Sequence, residues 1–204
     1  MVGKKTFLTL ALITSAVFCL VRTPLVLAEQ PIEQIRQTVD HVTRVLKETG
    51  SNPNASKADT VEKIRLVLLP QFDFAEMAKR SLGSYWRSLN GRENEFVSVF
   101  TAFVEKAYMG TLESYRGEKV LYLRERVEQN LAQVDTQIVP ARGDAIAVSY
   151  RLHLVENQWK VYDVVVENIS LVNNYRSQFS RILATASIDE LLSKLRAKGS
   201  GKPV

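Results

Sequence analysis

The spacing of apolar residues changes once along the chain, and this change constrains the fold more than any other feature. Between residues 31 and 115 apolar side chains recur at intervals of three and four, starting with Ile32 and Ile35, which is the period of amphipathic helices. From Glu118 the interval becomes two, most clearly at residues 146–154. Short polar connections predict an antiparallel meander, and two further helical stretches close the chain. The pattern therefore predicts an α+β fold.

The first 28 residues have the layout of a secretory signal. Lys4 and Lys5 precede an uncharged, mostly apolar run at residues 7–21, which residues 22–24 break before the small residue Ala28. A membrane anchor is the alternative, but this run is shorter than the roughly 20 residues that a bilayer core requires. We therefore predict that residues 1–28 are a signal peptide cleaved before Glu29, and that the protein is exported to the periplasm.

The remaining chain is nearly neutral and contains no cysteine. The basic residues Lys4, Lys5 and Arg22 lie in the predicted signal, so residues 29–204 keep 24 of the 27 basic residues and all 22 acidic ones. Lys and Arg are scattered among Asp and Glu, so no nucleic-acid partner is predicted. Cys19 is the single cysteine, which excludes a disulfide scaffold, a cysteine-rich zinc module and a CxxC redox site.

The domain boundaries follow from the same patterns. We expect one domain at residues 29–196, with a helical half at 31–115 and a sheet with C-terminal helices at 118–196. The polar residues 197–204 are predicted to form a flexible tail. Residues 159–166 are apolar on both faces, which predicts a central strand.

Catalytic motifs are absent from the sequence. It contains no nucleophile elbow, phosphate-binding loop, dinucleotide fingerprint or metal-spaced carboxylate cluster, so no catalytic residue, metal or cofactor is predicted. His41 and His153 fall on polar positions and are predicted to be solvated. Asp163 lies in an otherwise apolar strand, where it is either a desolvated acid available for catalysis or, as we favour, a carboxylate paired with backbone donors or an arginine.

Two long blocks of sequence resemble one known family. Residues 72–87, FDFAEMAKRSLGSYWR, resemble the FDF-x-x-MA-x-x-x-LG-x-x-W block of the MlaC-type periplasmic phospholipid-binding proteins, also called the toluene-tolerance family. Residues 159–179, WKVYDVVVENISLVNNYRSQF, are similar to that family's WKVYDV-x-x-EG-x-SL-x-x-NYR-x-QF run. Asn168 stands where the family usually has Gly, and Asn tolerates a positive φ better than most residues do.

The resemblance implies a fold and a function. The expected fold is a twisted antiparallel sheet, similar to the nuclear-transport-factor cone, wrapped by helices around an apolar cavity. The implied function is non-enzymatic: a periplasmic carrier that moves diacyl phospholipid between an outer-membrane lipoprotein complex and an inner-membrane ABC transporter complex. Periodicity alone leaves two alternatives open, an enzyme acting on a hydrophobic substrate in the same cavity and an envelope adaptor domain with a solid core.

Physical chemistry explains why such a carrier needs a cavity. A diacyl lipid has on the order of 30 methylene groups, and exposing all of them to water costs more than about 20 kcal/mol. Inward positions of the predicted elements give a hypothesis for the lipid-binding residues. They are Met77, Leu82, Phe100, Phe103, Leu112, Tyr122, Val148, Tyr150, Leu152, Trp159, Val161, Tyr175 and Phe179. Arg151 and Arg176 are the predicted contacts of the lipid head group.

Overall fold

A computed structural model describes residues 29–51, 56–112 and 117–199, with the backbone alone at residues 109–112 and Gly199. The predicted signal peptide lies outside the described residues, and so do residues 200–204 of the predicted tail. The last helix extends to Gly199, so residues 197–199 of the predicted tail are helical.

The structure confirms the predicted α+β class and the antiparallel meander. The helices that precede the sheet are α1 (Pro31–Gly50), α2 (Lys57–Leu68), α3 (Phe74–Leu82) and α4 (Glu93–Leu112). The strands are β1 (Lys119–Glu128), β2 (Leu131–Val139), β3 (Ile146–Val155), β4 (Gln158–Val166) and β5 (Ile169–Ser170). Helices α5 (Leu171–Leu183) and α6 (Ile188–Gly199) follow. The strands neighbour one another in chain order, and every neighbouring pair is antiparallel.

Helix ends follow the local capping signals. The Ser56 side chain caps α2 in a reciprocal box with Asp59, and Pro70 lies in a short 3₁₀ turn that follows α2. The Asp73 carboxylate caps α3 by accepting a hydrogen bond from the Glu76 N–H at 2.8 Å. Gly83 ends α3 with φ near +58°, a conformation that favours glycine.

One irregularity in the sheet decides which way the side chains of β4 point. Leu152 pairs with Val161, but the preceding residue Arg151 pairs with Asp163, so Tyr162 is an extra residue on β4. Val161 therefore packs on the side of α1, whereas the Asp163 carboxylate lies with Arg151 on the opposite face.

Strand β4 is an interior strand, as predicted, between β3 and the short β5. Its outer edge carries only the two-residue β5 and an isolated bridge from Phe72, next to which the Asp73 N–H donates to the Val161 carbonyl at 2.9 Å. The strand is apolar on both sides because helices cover both faces there: α1 on one, and α3 and α5 on the other. Burial on two faces therefore explains its sequence.

The turn between β4 and β5 tolerates the departure from the family pattern. Glu167 and Asn168 have φ values of 48° and 65°, which is the left-handed region that both central residues of a type I′ hairpin turn require. Glycine is the easiest residue for this conformation, and Asn is among the best of the others. Asn168 therefore fits the turn without glycine.

The buried side chains form two main clusters. The helix cluster joins α3 and α4 to α5 and α6, and the sheet cluster lies between α1 and strands β2, β3 and β4. A smaller group, which includes Val42 and Ile64, joins α1 to α2. Phe72 packs against both main clusters from the segment that precedes α3. The described residues therefore form two main cores, one on each side of β4.

Asp163 is a structural carboxylate, as we favoured from the sequence. Its side chain is 2% exposed and accepts hydrogen bonds from Arg151 at 3.0 Å, from the Ser170 hydroxyl at 2.7 Å and from the Val172 N–H at 3.0 Å. The Val172 N–H lies in the first turn of α5, where the helix dipole favours a negative charge. Asp163 therefore fastens the start of α5 to β4.

The prediction for one of the two histidines was wrong. His41 is exposed, as expected, but the His153 side chain is only 18% exposed and its Nε2 lies 3.0 Å from Asp73 Oδ2. The reason is the backbone bond from Asp73 to Val161, which holds the start of α3 beside the sheet. An alternating strand pattern carries no information on a helix that docks on its polar face.

Replacing Asp163 by Asn should lower the free energy of unfolding by about 2–3 kcal/mol, because a buried network then loses its charge. An amide also presents N–H groups toward the Ser170 hydroxyl and the Val172 N–H. Urea denaturation of the variant measures the effect. The matched control is Asp144→Asn, in the exposed loop before β3; equal unfolding free energies for the two variants would contradict the assignment.

Candidate functional site

An apolar cavity of about 150 Å³ lies between α1 and one face of the sheet. Its lining is apolar or aromatic except at Thr38 and Gln71. The lining residues are Ile35, Thr38, Val39 and Val42 of α1, Leu68 at the end of α2, Gln71 and Phe72 of the segment before α3, and Val120, Ile138, Tyr150 and Val161 of the strands. A cavity of this size and character accommodates a small apolar group, since an engineered void of about 150 Å³ binds benzene.

The two faces of the sheet differ in chemistry. Opposite the cavity, Asp135 accepts hydrogen bonds from Ser149, Gln133 and Arg124. Burial acts to raise the pKa of Asp135, but these hydrogen bonds outweigh it and hold the pKa below its usual range. The cavity face carries instead the apolar members of the same strands. An apolar ligand is therefore expected on the α1 side alone.

Polar contacts fix the N-terminal half of α1 on the sheet. The Ile32 N–H donates to Glu125 Oε2 at 2.6 Å, and Gln34 Nε2 donates to the Trp159 carbonyl at 2.6 Å. The Arg36 guanidinium stacks on the ring of Tyr122, 4.1 Å from its centre. Beyond Arg36 the side chains that face the cavity are apolar apart from Thr38, whose hydroxyl donates to the carbonyl of Gln34. Helix α1 is thus held by hydrogen bonds at its N-terminal end and by apolar packing along the cavity.

The structure brings together part of the predicted lipid-binding set. Tyr150 and Val161 line the cavity, and Tyr122, Leu152 and Trp159 belong to the surrounding sheet cluster. Val148 is buried on β3, and its carbonyl accepts a hydrogen bond from the Thr136 hydroxyl at 2.9 Å.

The predicted residues on α3, α4 and α5 lie elsewhere. Met77, Leu82, Phe100, Phe103, Tyr175 and Phe179 belong to the helix cluster and do not line the cavity. Edge-to-face contacts fill that cluster, with ring centres 6.2 Å apart for Phe100 and Phe179 and 5.2 Å apart for Phe103 and Tyr175. Burial and a hydrogen bond to Tyr108 raise the pKa of Tyr175, so its phenol stays neutral. The side chain of Leu112 lies outside the described residues.

Neither predicted head-group arginine reaches the cavity. Arg151 pairs with Asp163 on the opposite face of the sheet, and Arg176 on α5 donates from Nε to the Arg80 carbonyl at 2.7 Å. Strand alternation already placed Arg151 on the face opposite Tyr150 and Leu152. The ion pair between Arg151 and Asp163 depends on the extra residue Tyr162 in β4, which turns Asp163 to the same face.

Sequence reasoning missed the contribution of α1 to the cavity, and that of two strand residues. Ile35, Val39 and Val42 form the apolar stripe of α1, and Val120 and Ile138 come from β1 and β2. The sequence shows the apolar stripe of α1 as a helical period, and it shows the strand residues as an alternation of apolar and polar side chains. Only the docking of α1 across the sheet shows that the two surfaces meet around a void.

The described part of the chain contains neither a metal-binding cluster of side chains nor a membrane-spanning helix. No group of three or more His, Cys, Asp or Glu within it could hold a metal ion. None of the described helices is long and apolar enough to cross a membrane. The Asp163 carboxylate is occupied by the three donors that hold it in the fold.

Comparisons with known proteins agree with this architecture. The chain is 26% identical over 209 residues to the intermembrane phospholipid transport system binding protein MlaC of Haemophilus influenzae, covering 97% of this chain and 94% of the relative. A solved structure of a phospholipid-binding protein from Ralstonia solanacearum, in complex with a phospholipid, has the same fold with a TM-score of 0.73. It is 21% identical to this chain, and the match covers 84% of this chain and 98% of that one.

The family model for the MlaC protein matches residues 36–197, which include both blocks that carry the sequence resemblance. These blocks lie at the start of α3 and from β4 into α5, where the Asp73 cap and the Asp163 network hold the helices to the sheet. A match over most of the chain identifies this protein as a member of the MlaC family.

Proposed function

We propose that this protein binds phospholipid and carries it between the membranes of the cell envelope, with acyl chains in the cavity under α1. The observation that supports this most is the apolar cavity between α1 and the sheet. The Haemophilus influenzae relative is named as a phospholipid transport binding protein, and the Ralstonia solanacearum structure holds a phospholipid. An enclosed apolar site is what a carrier must offer to acyl chains that water excludes.

The size of the cavity implies that it enlarges when lipid enters. Sites for drug-sized ligands occupy about 300–1,000 Å³, whereas this cavity measures about 150 Å³. The strands around it are held in register by backbone hydrogen bonds, and α1 is held near the cavity by non-directional apolar contacts. We therefore propose that α1 is the wall that moves.

Location and partners form the second part of the proposal. The signal-like residues 1–28 and the near-neutral charge of the remaining chain support a periplasmic protein that does not adhere to anionic membranes. Family membership supports exchange of lipid with an inner-membrane ABC transporter complex and an outer-membrane lipoprotein complex. Direction would be set by the energised partner, because a passive carrier cannot drive transport.

The alternative functions receive less support from the structure. An enzyme would require an acid or base facing the cavity, and the described cavity lining contains neither Asp, Glu, His nor Lys. Asp163, the acid that an enzyme hypothesis would use, faces α5 instead. An adaptor domain would have no need for a void beside its sheet cluster. A carrier without a catalytic role is the function that the geometry supports best.

Filling the cavity should reduce lipid uptake. Replacing Val39 by Phe introduces a ring on the cavity side of α1, and we expect phospholipid occupancy to fall about fivefold or more, because overpacking a site costs about 1–3 kcal/mol. Native mass spectrometry of the protein purified from cells measures the bound lipid directly, and transfer from liposomes measures uptake.

The matched control is Val99→Phe, the same substitution at a half-buried residue that packs against the helix cluster. This variant should keep normal occupancy even if its stability falls. Normal lipid uptake by Val39→Phe, or an equal loss in Val99→Phe, would argue against a lipid site under α1.

A further inference from the structure

A polar groove of about 990 Å³ runs beside the cavity, bordered by α1, α2 and the turn between β3 and β4. Its border carries charges of both signs: Lys63 and Lys160 are positive, and Glu29 and Glu48 are negative. The other polar residues of its border are mostly amides, together with His41, and four apolar residues also line it: Val45, Leu66, Val67 and Pro70. The groove can therefore solvate a group that carries both a negative and a positive charge.

The groove and the cavity share part of their walls. Thr38 and Gln71 line both spaces. Gln34 Nε2 closes this boundary by donating to Gln71 Oε1 at 3.1 Å and to the Trp159 carbonyl at 2.6 Å. The partition thus includes a bond between two side chains, and side chains rearrange at a much lower cost than a backbone ladder does.

A phospholipid has two parts that need such neighbouring environments. Its acyl chains gain free energy in an apolar space, whereas its phosphate loses free energy unless water or hydrogen-bond donors surround it. The predicted head-group residues Arg151 and Arg176 lie on the far side of β4 from the cavity. The polar groove instead shares Thr38 and Gln71 with the cavity.

Building on the proposed function, we propose that the polar groove is the head-group site for a zwitterionic phospholipid, a phosphate ester that carries an ammonium group. The phosphate contacts Lys63 and Lys160, and the ammonium contacts Glu29 or Glu48. The tails pass between Thr38 and Gln71 once the Gln34 side chain releases Gln71. The Lys160 ammonium donates to the Pro70 carbonyl at 2.7 Å, which places a positive charge next to this passage.

Distance-dependent quenching tests where the head group lies. In the full chain with Cys19 replaced by Ser, a fluorophore is attached either at Gln158→Cys, on the border of the groove, or at Asn174→Cys, an exposed residue of α5 near Arg151. The probe is phosphatidylcholine with a nitroxide on its ammonium group. Quenching should be several-fold stronger at position 158 than at position 174.

Equal quenching at the two positions, or stronger quenching at position 174, overturns the head-group site. Native mass spectrometry of the same samples reports whether lipid is bound. Bound lipid with the wrong quenching pattern overturns this inference and leaves the proposed function intact. Failure to bind any lipid overturns the proposed function, and this inference with it.

A charge variant tests the same site by affinity. The double replacement Lys63→Gln with Lys160→Gln should weaken binding of phosphatidylcholine roughly fivefold, because exposed charge pairs are individually weak. Binding of diacylglycerol with the same acyl chains should not change, since it has no phosphate. The control is Lys194→Gln, which removes an exposed lysine of α6 that pairs with Glu190. No change for phosphatidylcholine, or an equal change for both lipids, overturns the assignment.

Discussion

The attachment of α5 to β4 through the Asp163 carboxylate is the interaction on which the rest of the architecture depends. This buried carboxylate accepts hydrogen bonds from the Arg151 guanidinium of β3, from the Ser170 hydroxyl just before α5, and from the Val172 N–H in the first turn of α5. The extra residue Tyr162 makes this possible by turning Asp163 away from the cavity face. The four helices α3–α6 therefore pack together on one side of the sheet, and α1 and the cavity lie on the other side.

The two cores differ in how they are packed. The helix cluster is dense and aromatic, and its rings meet at centre distances of 5–6 Å, so it resists deformation. The cavity is bounded mainly by aliphatic side chains on a helix that has few polar ties beyond its first two turns. A void in the second core therefore leaves the packing of the first unchanged, and under the proposed function α1 shifts while the helix cluster holds the sheet.

Local sequence patterns predicted the elements well and the cavity poorly, for a physical reason. The caps at Ser56 and Asp73 and the alternation in β3 depend on neighbours in the chain, so they are readable from the sequence. The contact of His153 with Asp73 joins residues 80 positions apart, and alternation marked that strand position only as polar. The inward faces of α4 and α1 have the same period, yet one fills a solid cluster and the other borders a void. Packing between distant elements decides that difference.

The helix cluster is assembled from the two ends of the domain, with α3 and α4 made before the sheet and α5 and α6 after it. A nascent chain can pair the strands of the meander as they appear, because these contacts are local in sequence. The aromatic core cannot close until the final helices have been synthesised, since Tyr175 and Phe179 supply part of it. Premature termination upstream of α5 would thus leave Phe96 and Phe100 facing water, which marks an incomplete chain as a substrate for proteolysis.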